Sequence, residues 1–135
     1  MAHIRKEFRV ASPPARVWDA IRDVGEVHTR LARGFVTDCR RDGEDRIVTF
    51  ANGLVARELI VDVDDKKRRL AYSARSERMV HHSASFQVYD DALGGCTVVW
   101  AADLLPHSAA LRVEAMMDEG VAAMRKTLEG HSLPA

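Results

Sequence analysis

A chain of 135 residues has the length of one domain, so we treat residues 1–135 as a single domain. Its 20 basic and 20 acidic residues balance and are interspersed, which excludes the clustered positive charge typical of nucleic-acid-binding proteins. The sequence has no long apolar run and no charged-then-apolar leader, so we expect a cytoplasmic protein that does not span a membrane.

The sequence lacks the common motifs of nucleotide, acyl-transfer and zinc chemistry. It has no glycine-rich phosphate loop, no GxSxG or HExxH motif and no paired CxxC. Its two cysteines, Cys39 and Cys96, stand alone, and isolated cysteines in a cytoplasmic chain are usually reduced, partly buried hydrophobic residues. We therefore expect no metal, no cofactor and no disulfide.

The N-terminal part is predicted to contain one strand and two short helices. Residues 3–10 alternate loosely between apolar and charged side chains, as in a strand with one solvent-exposed face. Ser12 then supplies a capping hydroxyl, and the proline pair after it suits the first turn of a helix, which we predict over residues 13–23. A second short helix is predicted over residues 26–32.

The middle of the chain alternates β-rich runs with turn sequences, which is the pattern of an antiparallel meander. Turns are predicted at Asp42-Gly43, at Asn52-Gly53, over residues 64–67, at Glu77-Arg78 and over residues 90–95. Between them lie six predicted strands, over residues 35–41, 46–51, 54–63, 69–76, 79–89 and 96–105. Together with the first strand they make a sheet of seven.

The longest element is a predicted C-terminal helix over residues 108–129, with Pro106 before it and Gly130 after it. Its apolar residues recur at steps of three and four: Ala110, Val113, Met117, Val121, Met124 and Leu128. At about 1.5 Å per residue the helix would span about 33 Å, enough to cross a small domain. The seven-stranded sheet must wrap around this helix, because neither can otherwise bury its apolar face.

Gly120 interrupts the apolar face of this helix, where glycine costs about 1 kcal/mol relative to alanine. One explanation is the close approach of a strand or a bulky side chain. The other is space for a ligand between helix and sheet, surrounded by Met116, Met117 and Met124, since methionine fills irregular space adaptably. The sequence leaves both explanations open.

The order of one strand, two short helices, a six-stranded meander and a long helix resembles the helix-grip fold of the START-related (SRPBCC) superfamily. Residues 11–21, ASPPARVWDAI, resemble its strand-to-helix signature, in which a proline pair precedes a Val-Trp helix. Residues 68–72, RRLAY, resemble a second and softer element. The tryptophan that the family often carries after its first helix is absent from residues 24–31.

The resemblance covers the whole chain and implies an α+β fold, in which the antiparallel sheet is wrapped around the C-terminal helix. The branch that it resembles most is the bacterial polyketide cyclase/dehydrase and lipid-transport-like group. Because the superfamily includes lipid carriers, hormone receptors, polyketide aromatase/cyclases and chaperone activators, the resemblance implies the fold and leaves the function to the site.

Alternation along the predicted strands selects the side chains on the concave face of the sheet, where such a fold would hold a ligand. It points His82 and Phe86 inward and His81 outward, so the two histidines cannot form a two-ligand metal site. His82 is either an acid/base or hydrogen-bonding group of the cavity, or a buried neutral histidine bound to a neighbour. Tyr72 and Trp100 also face inward, and a carboxylate or His82 is the expected partner of the Tyr72 hydroxyl.

The strand predicted over residues 54–63 has two possible phases. One phase buries Arg57 and the other buries Glu58, and the periodicity does not distinguish them. A buried charge is costly unless it is paired, so the inward residue should have a partner or a bound polar ligand group. The alternative is a charge at the sheet edge that points to water.

Three functions fit these observations. The first is binding of a small apolar ligand, such as a lipid, isoprenoid or polyketide-like ring system, between sheet and helix. The second is an aromatase/cyclase type of enzyme in which His82 and Tyr72, with or without Glu58, move protons. The third is a protein-interaction module with a filled core. The predicted ligand-binding residues are Glu58, Tyr72, His82, Phe86, Trp100, Met117, Gly120 and Met124.

Overall fold

The computed structural model describes residues 2–77 and 79–130. The described strands are β1 (Ala2–Val10), β2 (Val36–Asp42), β3 (Asp45–Phe50), β4 (Val55–Asp64), β5 (Arg69–Arg75), β6 (His81–Asp90) and β7 (Cys96–Leu105). The described helices are α1 (Pro14–Arg22), a π-helix (Val27–Leu31), a 3-10 turn (His107–Ala109) and α2 (Ala110–Gly130). Arg78 of the predicted Glu77-Arg78 turn lies outside the described residues, as do Met1 and residues 131–135 of the predicted domain.

The strands of the described residues form one antiparallel sheet of seven, in the order β1-β7-β6-β5-β4-β3-β2. Strands β2 to β7 follow one another as the predicted meander, and α1 and the π-helix connect β1 at one edge to β2 at the other. Two of the predicted turns hold Gly43 and Gly53 at φ values of 63° and 90°, a left-handed conformation that glycine adopts without steric cost. The predicted helix-grip fold is thereby confirmed.

Helix α2 lies against the concave side of the sheet and contacts β1 and the π-helix. Its buried residues are Val113, Met117, Gly120, Met124, Thr127 and Leu128, and Val121 is partly buried against the same core. The apolar face predicted for this helix is therefore the face that the core covers. The three- and four-residue spacing of the apolar side chains accounts for it.

The predicted capping role of Ser12 is wrong. Pro13 occupies the N-cap position of α1 and makes no side-chain hydrogen bond. The buried Ser12 hydroxyl instead donates to the carbonyl oxygen of Leu128 at 2.9 Å. That carbonyl belongs to the last turn of α2, where carbonyl groups have no partner within the helix. Ser12 therefore ties the β1–α1 connection to the end of α2.

Cys39 and Cys96 are both buried and unbridged, as predicted. Burial raises the pKa of both thiols, that of Cys96 to about 11, because the thiolate is poorly solvated inside the core. Neither thiol should therefore be reactive in the folded protein, since the thiolate is the nucleophilic form.

Labelling of the two cysteine thiols should require unfolding of the protein. We expect neither cysteine to react promptly with an aromatic disulfide reagent at about pH 8 in the native protein, because both thiols are buried and protonated. In denaturant without reductant, both should react. Fewer than two free thiols after unfolding would contradict the unbridged state, and prompt labelling of the native protein would contradict the burial.

Candidate functional site

A cavity of about 1010 Å³ lies between the concave face of the sheet, the π-helix and α2. Much of its wall is apolar and includes Leu31, Phe35, Phe50, Phe86, Met117 and Met124. At the β3–β4 turn the wall includes Leu54 and Val55, which are 37% and 55% exposed, so the cavity reaches the surface there. The described part of the chain thus encloses space where a filled core would otherwise lie.

The polar end of the cavity is built by inward-facing residues on neighbouring strands. Arg46 on β3 is directly opposite Glu58 on β4, and Glu58 is opposite Ala74 on β5. Extending the β5–β6 register by one residue from Ser73 and Ser83 places Ala74 opposite His82. All four of the inward-facing residues in this row line the cavity.

Arg46 and Glu58 form a buried ion pair. The Nε of Arg46 donates to Oε1 of Glu58 at 2.7 Å, and the two side chains are 3% and 9% exposed. Nη1 of Arg46 also donates to the carbonyl oxygen of Val24 at 3.3 Å, and the guanidinium lies 5.1 Å from the centre of the Tyr72 ring. These contacts offset part of the cost of burying two charges.

This ion pair decides which phase of β4 faces inward. Glu58 is inside with a partner, whereas Arg57 points outward and donates to Asp42 and Asp45, each at 2.8 Å. The periodicity was ambiguous for two reasons. The register shifts between Ile60 and Asp62, and several apolar residues of β4 are solvent-exposed: Val55, Leu59, Val61 and Val63.

An aromatic stack continues the wall across β5, β6 and β7. Phe86 is stacked on Trp100 at a centroid distance of 5.1 Å and on Tyr72 at 6.1 Å. The indole Nε1 of Trp100 donates to the Tyr72 hydroxyl oxygen at 3.0 Å. We expected His82 or a carboxylate to be the partner of the Tyr72 hydroxyl, and this expectation is wrong. The large indole ring of Trp100 extends from β7, two strands away, and occupies that position. Burial raises the pKa of Tyr72 well above its usual value, and the negative charge of Glu58 raises it further.

His82 faces the cavity and His81 is exposed, as the alternation predicts. The His82 ring makes no hydrogen bond to any described residue. Burial lowers the pKa of His82, and the charge of Glu58 opposes this shift, so the neutral form of the ring is favoured. A neutral imidazole has one N–H donor and one nitrogen acceptor.

Gly120 does not line the cavity. A Cβ atom at this position would lie 2.9 Å from Cζ3 and 3.1 Å from Cη2 of Trp100, and 3.2 Å from Cε2 of Phe35. The glycine is therefore required by close packing of bulky side chains, which is the first of the two explanations that the sequence allowed. Among the other predicted ligand-binding residues, Met117 and Met124 from α2 do line the cavity, as do Glu58, Tyr72, His82, Phe86 and Trp100.

Sequence reasoning missed Arg46. A hairpin centred near residues 52 and 53 places residue 46 within one position of Glu58, and Arg46 alternates in phase with Val48 and Phe50. Applied together, these two signals would have identified the partner of Glu58. No group of three His, Cys, Asp or Glu side chains among the described residues could hold a metal ion. None of the helices within residues 2–77 and 79–130 is both long and apolar enough to cross a membrane.

The described residues form a helix-grip fold with a cavity between the sheet and α2. The chain belongs to the family described as polyketide cyclase / dehydrase and lipid transport, whose model matches residues 1–129. None of the curated proteins compared with the chain matches it in sequence.

Solved structures share the fold at low sequence identity. XoxI from Bacillus cereus is 17% identical, with a TM-score of 0.85 and coverage of 99% of this chain and 100% of that one. A START superfamily protein from Mycobacterium smegmatis is 12% identical, with a TM-score of 0.71 and coverage of 96% and 95%. Norcoclaurine synthase from Thalictrum flavum, solved with dopamine and hydroxybenzaldehyde, is 16% identical, with a TM-score of 0.73 and coverage of 97% and 86%.

Proposed function

We propose that this protein binds a small, mainly apolar molecule of lipid or polyketide-like character in the cavity between the sheet and α2. The observation that carries the proposal is the volume of that cavity, about 1010 Å³. Protein interiors are close-packed and contain few voids larger than a water molecule, so a space of this size has to be explained. It is at the upper end of the range of about 300–1,000 Å³ typical of ligand pockets.

The lining and the family support this proposal. Aromatic rings and methionines form much of the wall, and charged and polar side chains complete it, so the cavity offers both an apolar surface and polar groups to a small molecule. The name of the family includes lipid transport. The cavity counts against the interaction-module alternative, which requires a filled interior. We further propose the cytoplasm as the location, since two unbridged cysteines are typical of a reducing compartment.

Uptake of a neutral fluorescent hydrocarbon tests the proposal directly. Protein stripped of bound lipid should take up pyrene, whose emission reports an apolar environment, and native mass spectrometry of the protein as purified should reveal a bound small molecule. A protein that neither takes up pyrene nor carries a small molecule would contradict the proposal.

Filling the cavity should weaken this uptake. We expect Ala74→Trp to reduce pyrene affinity by about tenfold or more, equivalent to about 1.4 kcal/mol, because the new indole would occupy space above the polar row. Ala71→Trp is the matched control, since Ala71 lies on the same strand and alternation places it on the opposite face. Equal affinity in the two variants would mean that pyrene binds elsewhere.

A second candidate function is acid/base catalysis of the aromatase/cyclase kind. Its specific support is the convergence of Glu58, Tyr72 and His82 on one cavity. A neutral His82 can accept a proton, and a protonated Tyr72 can donate a hydrogen bond to a substrate carbonyl. Norcoclaurine synthase, an enzyme by its name, has the same fold. Conversion of an aryl poly-β-ketone to a cyclised product, lost in His82→Leu, would favour catalysis over simple binding.

A further inference from the structure

Three polar groups that face the cavity have hydrogen-bonding capacity that the described residues do not use. Oε1 of Glu58 accepts from Arg46, while Oε2 accepts from no described residue. The Tyr72 oxygen accepts from Trp100, but its own proton is not donated to any residue that the structure describes. Both nitrogens of the His82 ring also lack a partner within this part of the chain. All three residues border the cavity, so a ligand or water there can supply the missing partners.

Glu58 and His82 are separated by a gap of one small residue. They lie in the same cross-strand row with Ala74 between them, on β4, β5 and β6. Neighbouring strands are about 4.8 Å apart, so the two polar residues originate about 10 Å from each other on the same face. Ala74 carries only a methyl group, and all three residues border the cavity. An oxygen atom located above Ala74 would have an acceptor on one side and an imidazole on the other.

At the gap itself the charge of Glu58 disfavours an anion, although Arg40, Arg57, Arg75 and Arg112 also line the cavity. The charge of Glu58 is matched by Arg46 at 2.7 Å, and His82 is the remaining ionisable side chain of the row. Tyr72, on the same face of β5, is uncharged while it keeps its proton, and Trp100, which donates to it, is always uncharged. A carboxylate placed next to the free oxygen of Glu58 would be repelled, whereas a hydroxyl could donate to that oxygen.

We propose that the ligand of this cavity carries an alcoholic or phenolic hydroxyl that binds above Ala74, donates its proton to Oε2 of Glu58 and accepts a hydrogen bond from the His82 ring. The inference rests on the proposed binding function and specifies the chemical class of the ligand. Glu58 and His82 would then select the ligand by its hydroxyl, and the aromatic and methionine side chains of the wall would contact its apolar body.

A matched pair of probes tests the hydroxyl separately from the apolar body. The dissociation constants of 1-hydroxypyrene and 1-methylpyrene, which have nearly the same shape, are measured by fluorescence, and their ratio defines the selectivity for the hydroxyl. We expect His82→Leu to reduce this selectivity about tenfold, the ratio that one hydrogen bond of ordinary strength contributes. The affinity for 1-methylpyrene should hold or rise.

His81→Leu is the matched control, because it makes the same change one residue away on the exposed face of β6 and should leave the selectivity unchanged. Ala74→Leu is a second variant, which closes the gap but retains both polar groups, and it should lose the selectivity as well. Unchanged selectivity in His82→Leu and Ala74→Leu would overturn the inference, as would tighter binding of 1-pyrenecarboxylate than of 1-hydroxypyrene. Failure of every pyrene probe to bind would instead contradict the proposed function.

Discussion

Replacing Arg46 by methionine is expected to lower the free energy of unfolding by about 3–5 kcal/mol, because Glu58 would be left charged and buried without its partner. The guanidinium is bound on three sides, by Glu58, by the carbonyl group of Val24 and by the face of the Tyr72 ring. Methionine is shorter than arginine and apolar, so it can replace part of the packing of the side chain but none of these three contacts. Urea denaturation followed by circular dichroism measures the loss.

Arg57→Met is the matched control for this effect. Arg57 is ion-paired on the neighbouring strand, but it points outward and solvent screens its pairs with Asp42 and Asp45. Its urea midpoint should therefore stay close to that of the wild type. The double variant Arg46→Met/Glu58→Leu should recover most of the lost stability, because it removes the orphaned charge. Equal losses from Arg46→Met and Arg57→Met would refute the argument from burial.

Gly120→Leu is expected to destabilise the protein by about 1–3 kcal/mol through overpacking, despite the better helix propensity of leucine. Even the first added carbon would lie 2.9 Å from Trp100 and 3.2 Å from Phe35. Trp100 cannot easily move away, because its ring is stacked on Phe86 and its Nε1 donates to Tyr72. Thermal and urea unfolding of Gly120→Leu measure the effect, and Gly120→Ala should show a smaller loss.

Two further variants separate overpacking from a general effect on the helix. Ala122→Leu places the same side chain on the exposed face of α2 and should leave stability nearly unchanged. Trp100→Phe removes part of the ring that Gly120 contacts, so Gly120→Ala should cost less in that background than in the wild type. A melting temperature that holds or rises in Gly120→Leu would favour the alternative explanation, in which the glycine leaves space for a ligand.

The sequence by itself determined the elements and their order. Local signals suffice for this: Gly43 and Gly53 close the turns at which glycine was expected, and three- and four-residue spacing defines the buried face of α2. Alternation also assigned His82 to the cavity and His81 to solvent, because no bulge interrupts the stretch of β6 between His82 and Phe86. Each of these inferences depends on residues within a few positions of one another.

Only the tertiary structure decided which side chains meet across the fold. Ser12 binds the carbonyl group of a residue 116 positions away, and Tyr72 is bound by an indole 28 positions away, so local capping and pairing rules selected the wrong partners. The register shift in β4 makes the periodicity of that strand ambiguous, and the position of Arg46 opposite Glu58 shows which phase faces inward. Periodicity could identify Gly120 as unusual, but the positions of Trp100 and Phe35 were needed to explain it. Contacts between distant segments depend on how the sheet curves around α2, and no local pattern records that curvature.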